Sequence, residues 1–291
     1  MEKLLPIALG VIMLGLGLTL TTGDFRRVLV YPRAVVVGLV CQAVLLPLAC
    51  WGVARAFALP PELAVGLMLL AASPGGATAN LFSHLAKGDV ALNITLTATN
   101  SLLSIVTMPF ILSLSIAHFM SAEQRIPLQF AKVLQVFAIV LVPVALGMLV
   151  RAKNASIALR LEKPVRILSA LFLVVVVLGA VLAERAQLGD YFRQVGLAAL
   201  TFNLLSMAVG YAVPRLLAVS ERQAIAIGME IGIHNGTLAM ALATNVLANS
   251  VMRIPAAIYS LIMFFTAAAF GAWVARRVPS DPPEASTPTG H

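Results

Sequence analysis

Apolar runs recur along this chain at lengths set by the thickness of a lipid bilayer. Nine stretches, roughly 4–22, 33–57, 62–86, 89–119, 128–151, 164–184, 191–218, 222–248 and 252–276, are each long enough to cross about 30 Å of hydrocarbon as helix. Lipid offers no partner to a backbone N–H or C=O, so segments of this kind must satisfy their own backbone as helices. Composition agrees: the chain is 60% hydrophobic and 11% charged, where a soluble domain carries about 25% charged residues. It reads as an all-α polytopic membrane protein of nine transmembrane helices. The first apolar run follows only Glu2 and Lys3 and lacks both a basic n-region and a small-x-small cleavage site, so it reads as a retained span rather than a signal peptide.

The formal net charge of +8 does not point to nucleic acid, because basic and aromatic residues do not interleave and no basic block is long. The excess follows instead from basic residues concentrated on cytoplasmic loops. With an odd number of spans the termini lie on opposite sides. An outside N-terminus places thirteen of the twenty basic residues inside, the loop expected from Arg151 to Arg166 contributing most. The orientation is therefore read as N-terminus outside and C-terminus inside, with the cell inner (cytoplasmic) membrane as the expected location. Residues 277–291, rich in Pro, Ser and Thr, read as a disordered cytoplasmic tail. Cys41 and Cys50 fall in one apolar run and read as small core residues.

Two of the nine runs are interrupted. One break is Ser73-Pro74-Gly75-Gly76-Ala77-Thr78-Ala79-Asn80; the other follows Glu230 and contains Gly232, His234, Asn235, Gly236 and Thr237. Spans two to four and seven to nine each form a triplet with a broken middle member. Three spans is an odd number, so the second triplet enters the membrane upside down, giving inverted-topology repeats; paired broken spans in the two halves are the sequence signature of a transporter's binding site. Pro47, Pro109, Pro143 and Pro214 are further positions for kinks.

A broken helix frees carbonyls at the end of its first half and N–H groups at the start of its second. The carbonyls suit a cation; the N-termini suit an anion. Span four adds Asn93, Thr97, Asn100 and Ser104 at spacings that share one helix face. Glu230 is costly when charged and unpaired in hydrocarbon. Two readings of it stand: a hard monovalent cation supplies the counter-charge, or a protonated carboxyl packs helices. His234, one turn further on, either reports pH and moves a proton or donates a structural hydrogen bond. Sequence alone does not separate Na⁺ from H⁺.

No enzyme is expected. There is no HExxH, no cysteine-rich metal spacing and no Walker A sequence, and Glu230-xxx-His234 lacks the first histidine of a zinc motif. Asp24, Asp89, Asp190 and Asp281 read as solvated loop residues.

These residues carry a family resemblance. Leu14 to Leu20, Ser73 to Asn80, Leu85 to Leu92 and Glu230 to Asn235 are similar to the matching stretches of the bile acid:sodium symporter family, and the likeness covers about residues 4 to 276. The resemblance implies two crossed discontinuous helices and two domains. Residues 33–119 and 191–276 would form the core transport domain, and residues 4–22 and 128–184 the panel domain, in the nine-span arrangement. It implies one or two Na⁺ ions. The first would be held by Asn80, Thr97 and Glu230 with Asn93, while Ala79 stands where relatives carry a serine. The second would use Gln42, Glu230 and His234 with the carbonyls of Ile231 and Ile233, and His234 stands where the family pattern has glutamine, a better sodium ligand than imidazole. Substrate would meet Ala77, Thr78, Asn235, Gly236 and Thr237 beside the crossing, with Met263 and Phe264 on span nine. Their apolar character makes a small carboxylate such as pantoate at least as fitting as a bile acid.

The expected function is sodium-coupled secondary active symport of an organic anion by alternating access, from a chain acting as a monomer in membrane lipid, with no nucleic acid partner. The alternatives are a proton-coupled carrier using Glu230 and His234, and a channel or non-transporting membrane receptor.

Overall fold

The structure is a computed structural model and describes residues 4–121, 130–183 and 188–278. Every regular element among them is helical; two residues, Gly75 and His234, additionally form an isolated antiparallel bridge. In chain order the helices are α1 (Leu4–Thr19), α2 (Thr22–Arg26), α3 (Pro32–Val40), α4 (Leu46–Ala56), α5 (Pro61–Ala72), α6 (Ala77–Leu85), α7 (Val90–Phe119), α8 (Phe130–Lys153), α9 (Ala155–Ala183), α10 (Leu188–Leu216), α11 (Glu221–Gly232), α12 (Gly236–Asn245) and α13 (Ile254–Ala275). A π-helical turn, Cys41–Leu45, joins α3 to α4. Pro47 lies just beyond it; a proline has no N–H to donate one turn back, which frees a carbonyl and favours a local widening of this kind.

Five described helices are long and apolar enough to cross a membrane: Pro32–Ala56, Val90–Phe119, Ala131–Lys153, Gly189–Leu216 and Val251–Ala275. The pair Pro6–Thr19 and Thr22–Leu29, bent by 73°, makes a sixth if it is counted as one span. Large side chains on these helices face outward without partners: Val106 is 71% exposed, Phe110 64% and Phe265 79%. Such surfaces fit lipid and would be costly in water. The chain is a multi-pass membrane protein.

Local sequence explains the helix starts. Proline occupies the first turn of α3, α5 and α13, where a missing N–H costs nothing. Asp89 accepts from the Leu92 N–H at 3.0 Å and starts α7; Asn235 does the same for Leu238 at 3.0 Å and starts α12. Helix α1 packs on α8 and α9, and α10 packs on α11 and α13. The α1–α8 contact depends on glycine: a Cβ on Gly17 would fall 2.2 Å from the Val144 carbonyl oxygen.

Two expectations are corrected. The segment from Arg151 to Arg166 is not a loop. Helix α8 runs to Lys153, Asn154 alone intervenes, and α9 starts at Ala155, nine residues ahead of the apolar run at 164. Its charged residues sit on helical turns outside the apolar runs, and hydropathy cannot distinguish these from loop. Asp24 is not solvated: it is 3% exposed, accepts from the Thr21 N–H and hydroxyl at 2.6 and 2.7 Å, and pairs with Arg27. Asp190 is exposed as expected, in the first turn of α10. Asp281 and the tail expected to be disordered lie outside the described residues, except for Arg277 and Val278.

Candidate functional site

The two breaks meet. The Asn235 N–H donates to the Pro74 carbonyl at 2.9 Å, and Gly75 bridges His234. The first break separates α5 from α6 and the second separates α11 from α12, at the sequence positions where proline and glycine end the apolar runs. Each freed carbonyl recruits donors. Ser73 O accepts from Gln42 Nε2 at 3.0 Å and from His234 Nδ1 at 3.1 Å. Gly232 O accepts from Asn203 Nδ2 and from the Tyr259 hydroxyl, both at 2.9 Å, and Thr266 in turn donates to Asn203 Oδ1. Backbone that cannot reach water is thereby satisfied.

Glu230 lies fully buried within this junction. The Thr97 hydroxyl donates to its Oε2 at 2.6 Å, so α7 and α11 are joined through the carboxylate. The carboxylate also occupies the space that a side chain on Gly75 would need: an ideal Cβ there would fall 2.5 Å from Oε1. Glycine at 75 is thus required by close approach, independent of backbone conformation. Asn93 is fully buried and donates to the Ala226 carbonyl at 2.7 Å. Asn100 and Ser104, on the same face of α7, are both 3% exposed. The polar stripe read from spacing therefore faces protein throughout.

Several buried polar atoms around the junction make no hydrogen bond within the protein: Glu230 Oε1, Asn93 Oδ1, Asn80 Oδ1, Gln42 Oε1 and both the Oδ1 and Nδ2 of Asn100. One carboxylate among neutral amide oxygens is a hard donor set of low charge, which fits a monovalent cation better than a divalent one. No group of three His, Cys, Asp or Glu that could hold a metal ion occurs among the described residues. His234 is different. Its Nδ1 faces a carbonyl and must carry the proton there, which leaves Nε2 as an acceptor with no partner in the protein. The ring stacks on Phe202 and lies against Tyr259. Gln42 and His234 thus share the Ser73 carbonyl, and both are donors to it.

A cavity of about 880 Å³ opens beside the junction. Thr78, Asn80, His234, Asn235, Gly236, Thr237, Met263 and Phe264 line it, so most of the expected substrate residues border one space. Its opposite wall comes from α1 and α9, including Ile12, Gly15, Ile167 and Ser169. Ala77 begins α6 at the same break. Ile231 and Ile233 are fully buried at the end of α11. Ala79 is fully buried. Gln42, Asn93, Thr97 and Glu230 stand back from the cavity, packed beneath the junction; Asn80 and His234 belong to both groups.

Asn203, Tyr259 and Thr266 were not foreseen. A single amide or hydroxyl in an apolar helix does not show in sequence which backbone group it will satisfy, although Asn203 within the seventh apolar run was a visible signal of the same kind as Asn93.

A multi-pass membrane protein with two broken helices joined around a buried carboxylate, beside a cavity, is the class defined here. The sequence model of the Sodium Bile acid symporter family matches residues 6–190, and the chain belongs to that family. It is 30% identical over 261 residues to the "uncharacterized sodium-dependent transporter YocS" of Bacillus subtilis (strain 168), covering 88% of this chain and 78% of that protein. It is 26% identical over 256 residues to the "probable sodium/metabolite cotransporter BASS1, chloroplastic" of Arabidopsis thaliana, covering 88% of this chain and 62% of the relative. Against the "probable sodium/metabolite cotransporter BASS2, chloroplastic" of Oryza sativa subsp. japonica it is 28% identical over 284 residues, covering 96% of this chain and 65% of the relative. The chain therefore spans less than two thirds of the length of these two chloroplast relatives.

Proposed function

We propose that the chain is a sodium-coupled secondary active symporter of an organic anion, working by alternating access as a monomer in the cell inner membrane. The observation that carries this reading is the buried Glu230 carboxylate, held by Thr97 in a helix junction whose buried amide oxygens have no hydrogen-bond partner in the protein. Family membership and relatives named as sodium-dependent or sodium/metabolite carriers support it. Sodium would sit among Glu230, Asn80, Asn93 and Thr97. A second ion would have to share Gln42 and the Ile231 and Ile233 carbonyls with His234, whose acceptor nitrogen is a poorer ligand than an amide oxygen. One ion is therefore the favoured stoichiometry.

The domain reading has nine spans, with residues 33–119 and 191–276 as core, residues 4–22 and 128–184 as panel, the N-terminus outside and the C-terminus inside. A constant interval supports the repeats within the core. The interval from Pro61 to Glu221 equals that from Ala72 to Gly232, and the same interval relates Gly76 to Gly236 and Ala58 to Ala218. Ala58 and Ala218 each lie two residues beyond a helix end with positive φ, 47° and 55°. The cavity lies between α1 and α9 on one side and α6, α12 and α13 on the other, which supports movement of core against panel around it.

In this mechanism each charge lowers the cost of burying the other. Sodium neutralises Glu230 and draws α7 and α11 onto the first break. The N-termini of α6 and α12, with Thr78, Asn235 and Thr237, then receive the anion of a bile-acid-like molecule or small carboxylate. A proton-coupled carrier is the second reading, and the unpartnered Nε2 of His234 is the observation that favours it.

Uptake of labelled organic anions into proteoliposomes, with sodium and proton gradients imposed separately, tests the choice. Accumulation driven by inward sodium alone is expected. Accumulation driven only by protons would move the coupling to Glu230 and His234. Flux that neither gradient energises would indicate a channel or uniporter, and binding without flux a receptor.

A further inference from the structure

The cavity is apolar for most of its surface, yet charged side chains line it near one end. Arg151 comes from the last turn of α8 and Glu162 from the early turns of α9. Arg151 is half-buried and has neither a hydrogen-bond nor an ion-pair partner among the described residues, whereas Glu162 is engaged in an interaction of its own. A guanidinium retains its charge at any physiological pH and offers five N–H donors in a planar fork suited to a carboxylate or sulfonate. Bordering a largely apolar space, it is less screened than an arginine in open water.

An independent observation at the junction side of the cavity points to the same ligand chemistry. Asn235 is only 8% exposed and lines the space. Its Oδ1 accepts from the Leu238 N–H, which assigns the remaining NH₂ group as a donor. Around an apolar body that includes Ile12, Ile94, Met263 and Phe264, the lining thus carries the Asn235 amide donor and the unpaired Arg151 guanidinium, beside a Glu162 carboxylate that is already engaged.

We propose that Arg151 is a specificity-determining residue of this cavity, selecting ligands that join an anionic group to an apolar body over neutral ligands of the same shape. The proposal rests on the reading of the cavity as the substrate site, and it adds a charged contact from the α8 end that the junction residues do not supply. Helix α8 also gains from a cation near its C-terminal carbonyls, so the test must separate selectivity from helix stability.

The full chain in lipid nanodiscs, in sodium chloride, is titrated calorimetrically with naphthalene-1-sulfonate and with naphthalene-1-sulfonamide, which share an apolar body and differ in charge. Wild type is expected to bind the sulfonate about tenfold more tightly, the preference one moderately screened charge contact gives. Arg151→Gln should remove most of that preference by weakening the sulfonate alone, and Arg151→Lys should retain part of it. An unchanged preference in Arg151→Gln, or equal weakening of both probes together with a lower Tm, overturns the proposal and leaves Arg151 as a helix cap. Sodium stabilisation of wild type, read as a rise in Tm over choline chloride, is measured in parallel. If sodium stabilises wild type but the two probes bind alike, Arg151 loses its role and the symporter reading stands. If sodium does not stabilise wild type, the symporter reading fails while the probe ratio still decides Arg151.

Discussion

The Glu230 carboxylate lies where a side chain on Gly75 would have to be, an ideal Cβ falling 2.5 Å from Oε1 and 2.6 Å from Oε2. The glycine of one broken helix and the acid of the other are therefore a single steric unit. Gly75→Ala must push the carboxylate away from Thr97 or part the two breaks. Its expected effect is loss of sodium-driven uptake, with the protein still inserted and folded. Wild-type uptake by Gly75→Ala would show that the carboxylate has room the structure does not give it.

Thr97 supplies a hydroxyl to Glu230 at 2.6 Å. A hydrogen bond to a charged group contributes about 1.5–3 kcal/mol. Thr97→Val should raise the half-saturating sodium concentration by about tenfold or more, since 1.4 kcal/mol is a factor of ten. Thr97→Ser should stay near wild type. Uptake measured across a sodium series checks both variants.

His234 donates through Nδ1 to the Ser73 carbonyl beside Gln42 and leaves Nε2 unused. His234→Gln supplies an amide donor and a carbonyl oxygen together. If the imidazole is what weakens a second ion site, sodium dependence should steepen in this variant, with a Hill coefficient rising from near one toward two. An unaltered sodium response would remove His234 from cation binding and assign it to packing against Phe202 and Tyr259.

The Gly232 carbonyl holds two donors, Asn203 and Tyr259. Asn203→Leu removes the amide donor to this carbonyl, while the Thr266 hydroxyl keeps the Ile262 and Met263 carbonyls as acceptors, and should destabilise the folded protein by about 1–3 kcal/mol. Tyr259→Phe leaves Asn203 in place and should cost about 1 kcal/mol. Thermal melting in detergent ranks the two, and the reverse order would contradict the assigned roles.

Ala218, just beyond α10, has φ 55° without the glycine that this conformation favours. Ala218→Gly should raise stability by up to about 1 kcal/mol. The same assay detects it, and a lower Tm would mean that the methyl group makes packing contacts worth more than the strain.

Much of the site was legible because the membrane makes polar residues expensive. Glu230, the Pro-Gly break and the α7 stripe each stand out against an apolar background, and helical spacing placed Asn93 and Thr97 on one face before any coordinates. Other features depend on partners that sequence does not name. The early turns of α9 read as loop because charged residues at a membrane surface resemble charged residues in a turn. Asp24 read as solvated because the Thr21 and Arg27 contacts that bury it are set by the local fold. Gly75 stood out as a helix breaker, but its closeness to Glu230 comes from the packing of two segments far apart in sequence.

Equilibrium binding of radioactive sodium to the purified chain, with and without Glu230→Gln, tests the central claim most directly. The account predicts saturable binding by wild type, competed by unlabelled sodium and absent from Glu230→Gln, while Arg151→Gln binds the ion normally. Saturable sodium binding that persists in Glu230→Gln would contradict it, because among the described residues no other carboxylate is buried at the junction of the breaks.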